Sequence, residues 1–111
     1  MTAPSIVSVQ SAPLVTTNTD VYTVPAGRRA KVHILVSMQS GGDITIRIKK
    51  GGAHTSADYL TYNWTLSANT PAQFPDTGVA VLLTSADVVV IYSTVADTVI
   101  FVNGYEDDIP T

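Results

Sequence analysis

Residues 21–50 read VYTVPAGRRAKVHILVSMQSGGDITIRIKK, and this stretch decides the fold class. Beyond the Pro25-Ala26-Gly27 turn, Ala30, Val32, Ile34, Val36 and Met38 fall on alternate positions, as do Ile44, Ile46 and Ile48 in the run that follows. Strict alternation puts each apolar set on one face of a half-buried strand. Gly41-Gly42 and Gly51-Gly52 bracket the second strand and supply the permissive backbone that tight connections need. The intervening positions Arg29, Lys31, Arg47 and Lys49 then form a basic outer stripe. In a simple hairpin of the two strands Lys31 would sit opposite Lys49, and like charges in register destabilise a sheet. Either the strands belong to different sheets or acids from elsewhere face them.

The same pattern continues outward along the chain. Residues 1–19 are rich in Ser, Thr, Ala, Pro and Val, with no charge before Asp20, and are expected as an extended N-terminal arm. Within it Val7 and Val9, with Leu14 to Val15, are candidates for a short edge strand limited by Pro4 and Pro13. Downstream, Tyr59 to Leu66 reads as a strand with Leu60, Tyr62, Trp64 and Leu66 on one face. A short strand at Ala72 to Phe74 follows the Ser67–Pro71 break, and Pro75-Asp76 and Gly78 mark another turn. The runs Val79 to Leu83, Val88 to Tyr92 and Thr98 to Tyr105 are apolar on both faces or nearly so, which places them centrally or in an interface. No stretch carries a convincing helical period, and Val, Ile and Thr dominate. About eight short antiparallel strands predict an all-β, single-domain β-sandwich of jelly-roll type, spanning residues 20–108 with a tail at 109–111.

Composition bounds the function. The 111 residues suit one core, and 45% hydrophobic against 14% charged residues leaves uncharged surface for a partner to cover. There is no cysteine, so neither a disulfide framework nor thiolate chemistry is available. The opening Met1-Thr2-Ala3-Pro4-Ser5 lacks the charged and apolar regions of a secretory signal, and no apolar run is long enough to span a membrane. Synthesis in a reducing cytoplasm and no membrane partner are expected. Charge is polarised: residues 28–50 hold all six basic residues and one acid, Asp43, while the other eight acids lie elsewhere. Glu106, Asp107 and Asp108, taken to follow the last strand, would meet the bases within one subunit or across an interface. Few aromatics interleave with the basic stripe and the acidic tail repels phosphate, so no nucleic-acid partner is expected.

Several motifs taken together resemble a known group. Val-Tyr-Thr-Val-Pro-Ala-Gly at 21–27, the alternating strand at 30–36, Ala-Asp-Tyr-Leu at 57–60, Ser-Ala-Asp-Val-Val-Val at 85–90 and Val-Asn-Gly-Tyr-Glu at 102–106 look like the small β-sandwich virion proteins of tailed bacteriophages. These include head decoration (cement) proteins, head fibres and tail-fibre domains. Where such relatives often carry Gly-Asp before the penultimate strand, this chain has Ala86-Asp87. The resemblance implies a non-enzymatic structural protein on the capsid exterior of the virion, a homo-oligomer and by analogy a homotrimer, bound to the phage major capsid protein. The uncharged arm is the expected docking element. The alternative it implies is a receptor- or glycan-binding module of a head or tail fibre, with Tyr59, Tyr62 and Trp64 as contacts.

Catalytic and metal chemistry find little support in the residues. His54-Thr55-Ser56-Ala57-Asp58 contains the residue types of a hydrolytic triad, but five consecutive loop residues do not converge on one another. His33 and His54 are the only histidines, too few for a metal cluster on a cupin-like barrel. His33 is expected to face solvent beside Lys31. Asp43, Asp58, Asp76, Asp87 and Asp97 fall in or beside predicted turns, where an Asp side chain caps backbone N–H groups. No catalytic residue, metal or cofactor is expected. Asn63-Trp64-Thr65 matches a glycosylation acceptor, which without a secretory route is coincidence. Trp64, sharing a face with Leu60 and Leu66, is weighed as packing before sugar stacking.

Overall fold

The computed structural model describes residues 5–11, 15–52, 58–74 and 80–110. Nine strands form: β1 (Ser5–Ser11), β2 (Thr19–Thr23), β3 (Arg28–Met38), β4 (Gly42–Lys49), β5 (Tyr59–Leu66), β6 (Ala72–Phe74), β7 (Val81–Leu83), β8 (Val88–Ser93) and β9 (Thr98–Asp108). A single short 3-10 turn, Lys50–Gly52, is the one helical element among the described residues.

The strands pair antiparallel into two sheets. Sheet I runs β1-β9-β3-β6, with β7 sharing the β3 edge, and sheet II runs β2-β8-β4-β5. Because β6 pairs with Ile34–Val36 and β7 with Ala30–Val32, the two short segments together fill one edge position. The result is the two four-stranded layers of a jelly roll, in which β1 to β4 alternate between sheets. β3 and β4 therefore lie in different sheets, and Lys31 never faces Lys49.

The alternation read in the sequence becomes burial. Val32, Ile34, Val36 and Met38 of β3 and Ile44 and Ile46 of β4 are buried between the sheets, where they meet Val89 and Ile91 of β8 and Ile100 and Val102 of β9. Each such side chain contributes about 1.5–3 kcal/mol through removal from water. β8 and β9 are central, as their double-faced apolar character predicts, whereas β7 lies at an edge.

The sandwich begins before residue 20. β1 pairs with β9 over its whole length, from Ser5 opposite Glu106 to Ser11 opposite Ile100, and Val7 enters the core. Residues 5–11 of the charge-free arm are thus an edge strand, and Val15 bridges Ser93: the Ser8 and Gln10 that made β1 look loose alternate with Val7 and Val9, and the alternation wins. β9 likewise continues through Asp108, so the three acids belong to the strand and do not trail it.

Two backbone positions shape the ladder between β3 and β9. Gly104 lies opposite Val32 in the interior row, and a Cβ there would meet the Lys31 carbonyl oxygen at 1.8 Å, so no other residue fits. Ala86, where the resemblance leads one to expect glycine, adopts φ +66°, a left-handed conformation in the turn before β8.

Candidate functional site

The basic residues occupy opposite outer surfaces. Arg29 and Lys31 project from sheet I, Arg47 and Lys49 from sheet II, because β3 and β4 turn their polar faces away from a shared core. The predicted stripe is therefore divided in two, and each half meets its own acids.

On sheet I, β3 runs beside β9 with Arg28 opposite Asp108 and Arg29 opposite Asp107. Arg29 Nε lies 2.9 Å from Asp107 Oδ1 at the surface. The hydrogen bond from Arg29, before any charge effect, holds the Asp107 carboxyl below its ordinary range. Arg28 is far more enclosed. Its Nε reaches Glu106 Oε1 at 3.2 Å, its Nη1 Asp108 Oδ1 at 2.7 Å, and its Nη2 donates to Ser5 Oγ and to the Glu106 carbonyl. Tyr22 of β2 donates its hydroxyl to Glu106 Oε2 at 2.6 Å, which ties sheet II to sheet I. Burial, then the Glu106 carboxylate, pushes the Tyr22 phenol well above its ordinary value. The acids and bases meet within one subunit. Arg28 and Tyr22 were not singled out from sequence, although Arg28 directly precedes the first member of the stripe.

Asp87 is a second anchor, and this one is fully buried. It accepts hydrogen bonds from Gly51 N at 2.8 Å and Thr84 N at 2.9 Å, and from the Lys50 ammonium. Burial opposes its ionisation, but the Lys50 and backbone donors outweigh that and hold its pKa below the ordinary carboxylate value. This is the turn-capping role its position predicts. Asp97 acts similarly on Ser40, taking hydrogen bonds from its N and Oγ.

On sheet II, Lys49 Nζ lies 3.6 Å from Asp20, and Val88 and Val90, opposite Lys49 and Arg47, are buried on this outward side. The Arg47 guanidinium stacks 4.5 Å from the Tyr59 ring centroid and also donates to the Tyr59 hydroxyl. Tyr59 and Tyr62 meet edge to face at 4.8 Å. With Asn63, Thr45 and Tyr92 they line a shallow depression. Trp64 is absent from it. The register steps from Ile44 opposite Trp64 to Ile46 opposite Thr61, and Asn63 takes φ +48° at this bulge. The extra residue reverses the alternation, so Trp64 turns inward against Phe74, at 6.2 Å and near-perpendicular, while Tyr62 turns outward. The shared face expected for Leu60, Tyr62, Trp64 and Leu66 is corrected accordingly. Trp64 is packing, half-exposed at the sheet edge.

The outer face of sheet I holds the other exposed apolar group. Ile6, Tyr105, Lys31 and Leu82 line up across β1, β9, β3 and β7 in one row, and Ile6, Tyr105 and Leu82 are 78%, 66% and 66% exposed. Ser8, Asn103 and His33 form the next row, and Gln10, Phe101, Leu35 and Gln73 the one after. His33 faces outward as expected, with Nδ1 3.0 Å from Gln73 Nε2. Sequence reasoning missed this face because Ile6, Leu82 and Tyr105 come from three separate parts of the chain and become neighbours only through the pairing of β1 with β9, β9 with β3 and β3 with β7.

No group of three metal-ligating side chains occurs among the described residues. The His54–Ala57 part of the triad-like segment, and Asp76, lie outside the described residues. In comparisons with known proteins, no family model and no curated sequence matches this chain.

Proposed function

We propose that this chain is a bacteriophage virion structural protein that decorates or cements the capsid exterior as a homo-oligomer. The reading begins from the motif resemblance, and the observation that carries it furthest is the uncovered outer face of sheet I. Among the described residues apolar side chains pack between the two sheets, and in this reading the outer surfaces carry the interactions. Exposed Ile6, Tyr105 and Leu82 suit a contact with protein. In this reading the major capsid protein is the second partner, there is no enzymatic step, and the bases serve acids of their own chain in place of nucleic acid: Arg28, Arg29, Lys49 and Lys50 each lie within ion-pairing distance of a carboxylate.

The expected docking arm needs revision within this proposal. Residues 5–11 complete sheet I, so removing them uncovers β9 and subtracts Val7 from the core. Truncation of residues 1–19 then tests folding before it tests attachment. The function is tested by the copy number of this chain in purified particles, by quantitative gel or cryo-EM. Hundreds of copies per particle support decoration, and its absence from particles overturns it.

A second reading is favoured by the sheet II depression: a receptor module of a head or tail fibre that holds a surface glycan against Tyr62, with Arg47, Asn63 and Tyr92 alongside. Copies numbering tens per particle, with saturation transfer from glycan protons to the Tyr62 ring lost in Tyr62→Ala, would select it.

A further inference from the structure

The rows on the outer face of sheet I are complementary to themselves when one copy is turned over onto another. Sheet I has β9 and β3 at its centre, flanked by β1 on one side and by β6 and β7 on the other. A two-fold axis lying between two facing copies, along the strands and midway between β9 and β3, exchanges these positions row by row. Asp107 then faces the second copy's Arg29, Tyr105 faces its Lys31, Phe101 faces its Leu35, and Ile6 faces its Leu82. These pairings follow from the cross-strand register, in which Arg29 is opposite Asp107, Lys31 opposite Tyr105 and Leu35 opposite Phe101. We propose that this face is the self-association surface of the protein, occupied by a second copy in a two-fold pair.

Three features favour a second copy over other occupants. First, charge is complementary in the row that carries it: the Arg29–Asp107 pair of one copy meets the same pair reversed, giving four alternating charges. Second, Lys31 is the one charged residue of its row, between Tyr105 and Leu82, and the reversed copy brings to it a tyrosine ring, whose face attracts an ammonium. A face-to-face two-fold across the strands through the His33–Asn103 row would instead set Lys31 over Leu35 and Asp107 over Val99, burying charge against hydrocarbon. Third, Ile6, Leu82, Tyr105 and Phe101 leave roughly 500 Å² of apolar side chain in water per copy, if a full aromatic side chain offers about 150–250 Å². Two facing copies thus cover about 1,000 Å² from these residues, and the flanking Ser8, Asn103, His33 and Gln73 rows bring the total into the roughly 1,200–2,000 Å² of a specific interface. Aligned packing of two sheets, strands within about 30° of each other, is the ordinary geometry for such faces.

The interface is isologous, each residue meeting its counterpart's partner twice, and so it closes at two copies. It differs from the trimer that the resemblance implies. The inference takes over the self-association in the proposed function but not the capsid: a chain that pairs two-fold yet never enters particles keeps this inference and removes that one.

The test uses the full chain, which has no cysteine of its own. Light scattering at tens of micromolar should give twice the 11.7 kDa chain mass. Leu82→Glu should return it to a monomer with an unchanged far-UV spectrum. Geometry is read by two single variants, Ile6→Cys and Leu82→Cys, whose positions are three strands apart in one chain and opposed across the pair. Under mild oxidation, mixing the two should give a covalent dimer in several-fold greater yield than either variant alone. A monomer mass for the unmodified protein, a trimer mass, or self-cross-linking of Leu82→Cys as efficient as the mixture would each overturn the proposal. So would a Leu82→Glu variant that stays dimeric, whatever its binding to particles.

Discussion

Gly104 is the position where one added carbon does most damage. It sits at the centre of the ladder joining β3 and β9, the longest in the molecule with eleven residue pairs, and lies between Val7 of β1 and Val32 of β3. A Cβ would stand 1.8 Å from the Lys31 carbonyl oxygen and 2.8 Å from both Lys31 C and Val32 Cα, all backbone atoms. No rotamer relieves such a contact, so β9 must withdraw from β3 locally and loosen ladder hydrogen bonds on both sides. Overpacking costs about 1–3 kcal/mol, and rigid backbone on the receiving side puts Gly104→Ala at the upper end, about 2–3 kcal/mol. Against a total stability of about 5–15 kcal/mol that is a large fraction. With an m-value of about 1–3 kcal/mol/M, urea unfolding should show the midpoint lowered by roughly 0.7–3 M. Hydrogen exchange should locate the loss around Lys31–Val32 and Asn103–Tyr105. An unchanged midpoint with full amide protection there would refute the close approach of the two strands and with it the register of sheet I.

Ala86→Gly should raise stability by about 1 kcal/mol, since Ala86 bears the left-handed strain that glycine does not feel; a lowered urea midpoint would count against φ +66°. Glu106→Gln should cost about 1–3 kcal/mol because it weakens a part-buried hydrogen-bond set with Arg28 and Tyr22, whereas Asp107→Asn, at the exposed Arg29 pair, should leave the unfolding midpoint of the Leu82→Glu monomer where it was. Asp87 has a folded pKa below its unfolded one, so the stability it supplies is full above the ordinary carboxylate pKa and disappears as pH falls through the lower folded value. Asp87→Asn should therefore be less stable at neutral pH, with the gap to the unmodified protein narrowing on acidification, as followed by thermal melts between about pH 7 and 2.

Most of the architecture was legible because it depends on periodicity. β3 and β4 alternate without a break, and an alternation of two has one geometric meaning. The doubly apolar run at β8 read as central because apolar side chains on both faces suit a strand with neighbours on both edges, and β9 is central too although Phe101 and Tyr105 leave its outer face exposed. Even the assignment of β3 and β4 to separate sheets was half visible, in the like charges a hairpin would have opposed. Legibility failed where one residue changed parity or where pairing reached across the whole chain. The bulge at Asn63 inverted the face of Tyr62 relative to Trp64, and asparagine tolerates a left-handed backbone without requiring one, so Asn-Trp-Thr does not by itself mark the bulge. β1 looked like an arm because its strand hydrogen bonds are all to β9, some ninety residues away.

The candidate surfaces divide along the same line. Arg29, Lys31, Arg47 and Lys49 were identified correctly as outward-facing, since local alternation determines that much, but their union into one stripe required them to share a sheet. Alternation says which side of its own strand a residue takes and nothing about which layer the strand joins. The pairing of Arg28 and Arg29 with Glu106, Asp107 and Asp108 was anticipated from charge segregation, because a chain with its bases in one segment and acids in another lowers its energy by bringing them together. Charge alone left open whether that happened inside one subunit, and register settles it: with Lys31 opposite Tyr105, the next residues along antiparallel strands bring arginine to carboxylate without any partner. Under the proposed self-association, the face left to a second copy is the one defined by Ile6, Leu82 and Tyr105. Each is one apolar residue among others in its own strand, and they acquire meaning only through the strand order β1-β9-β3-β7 that sets them in a row.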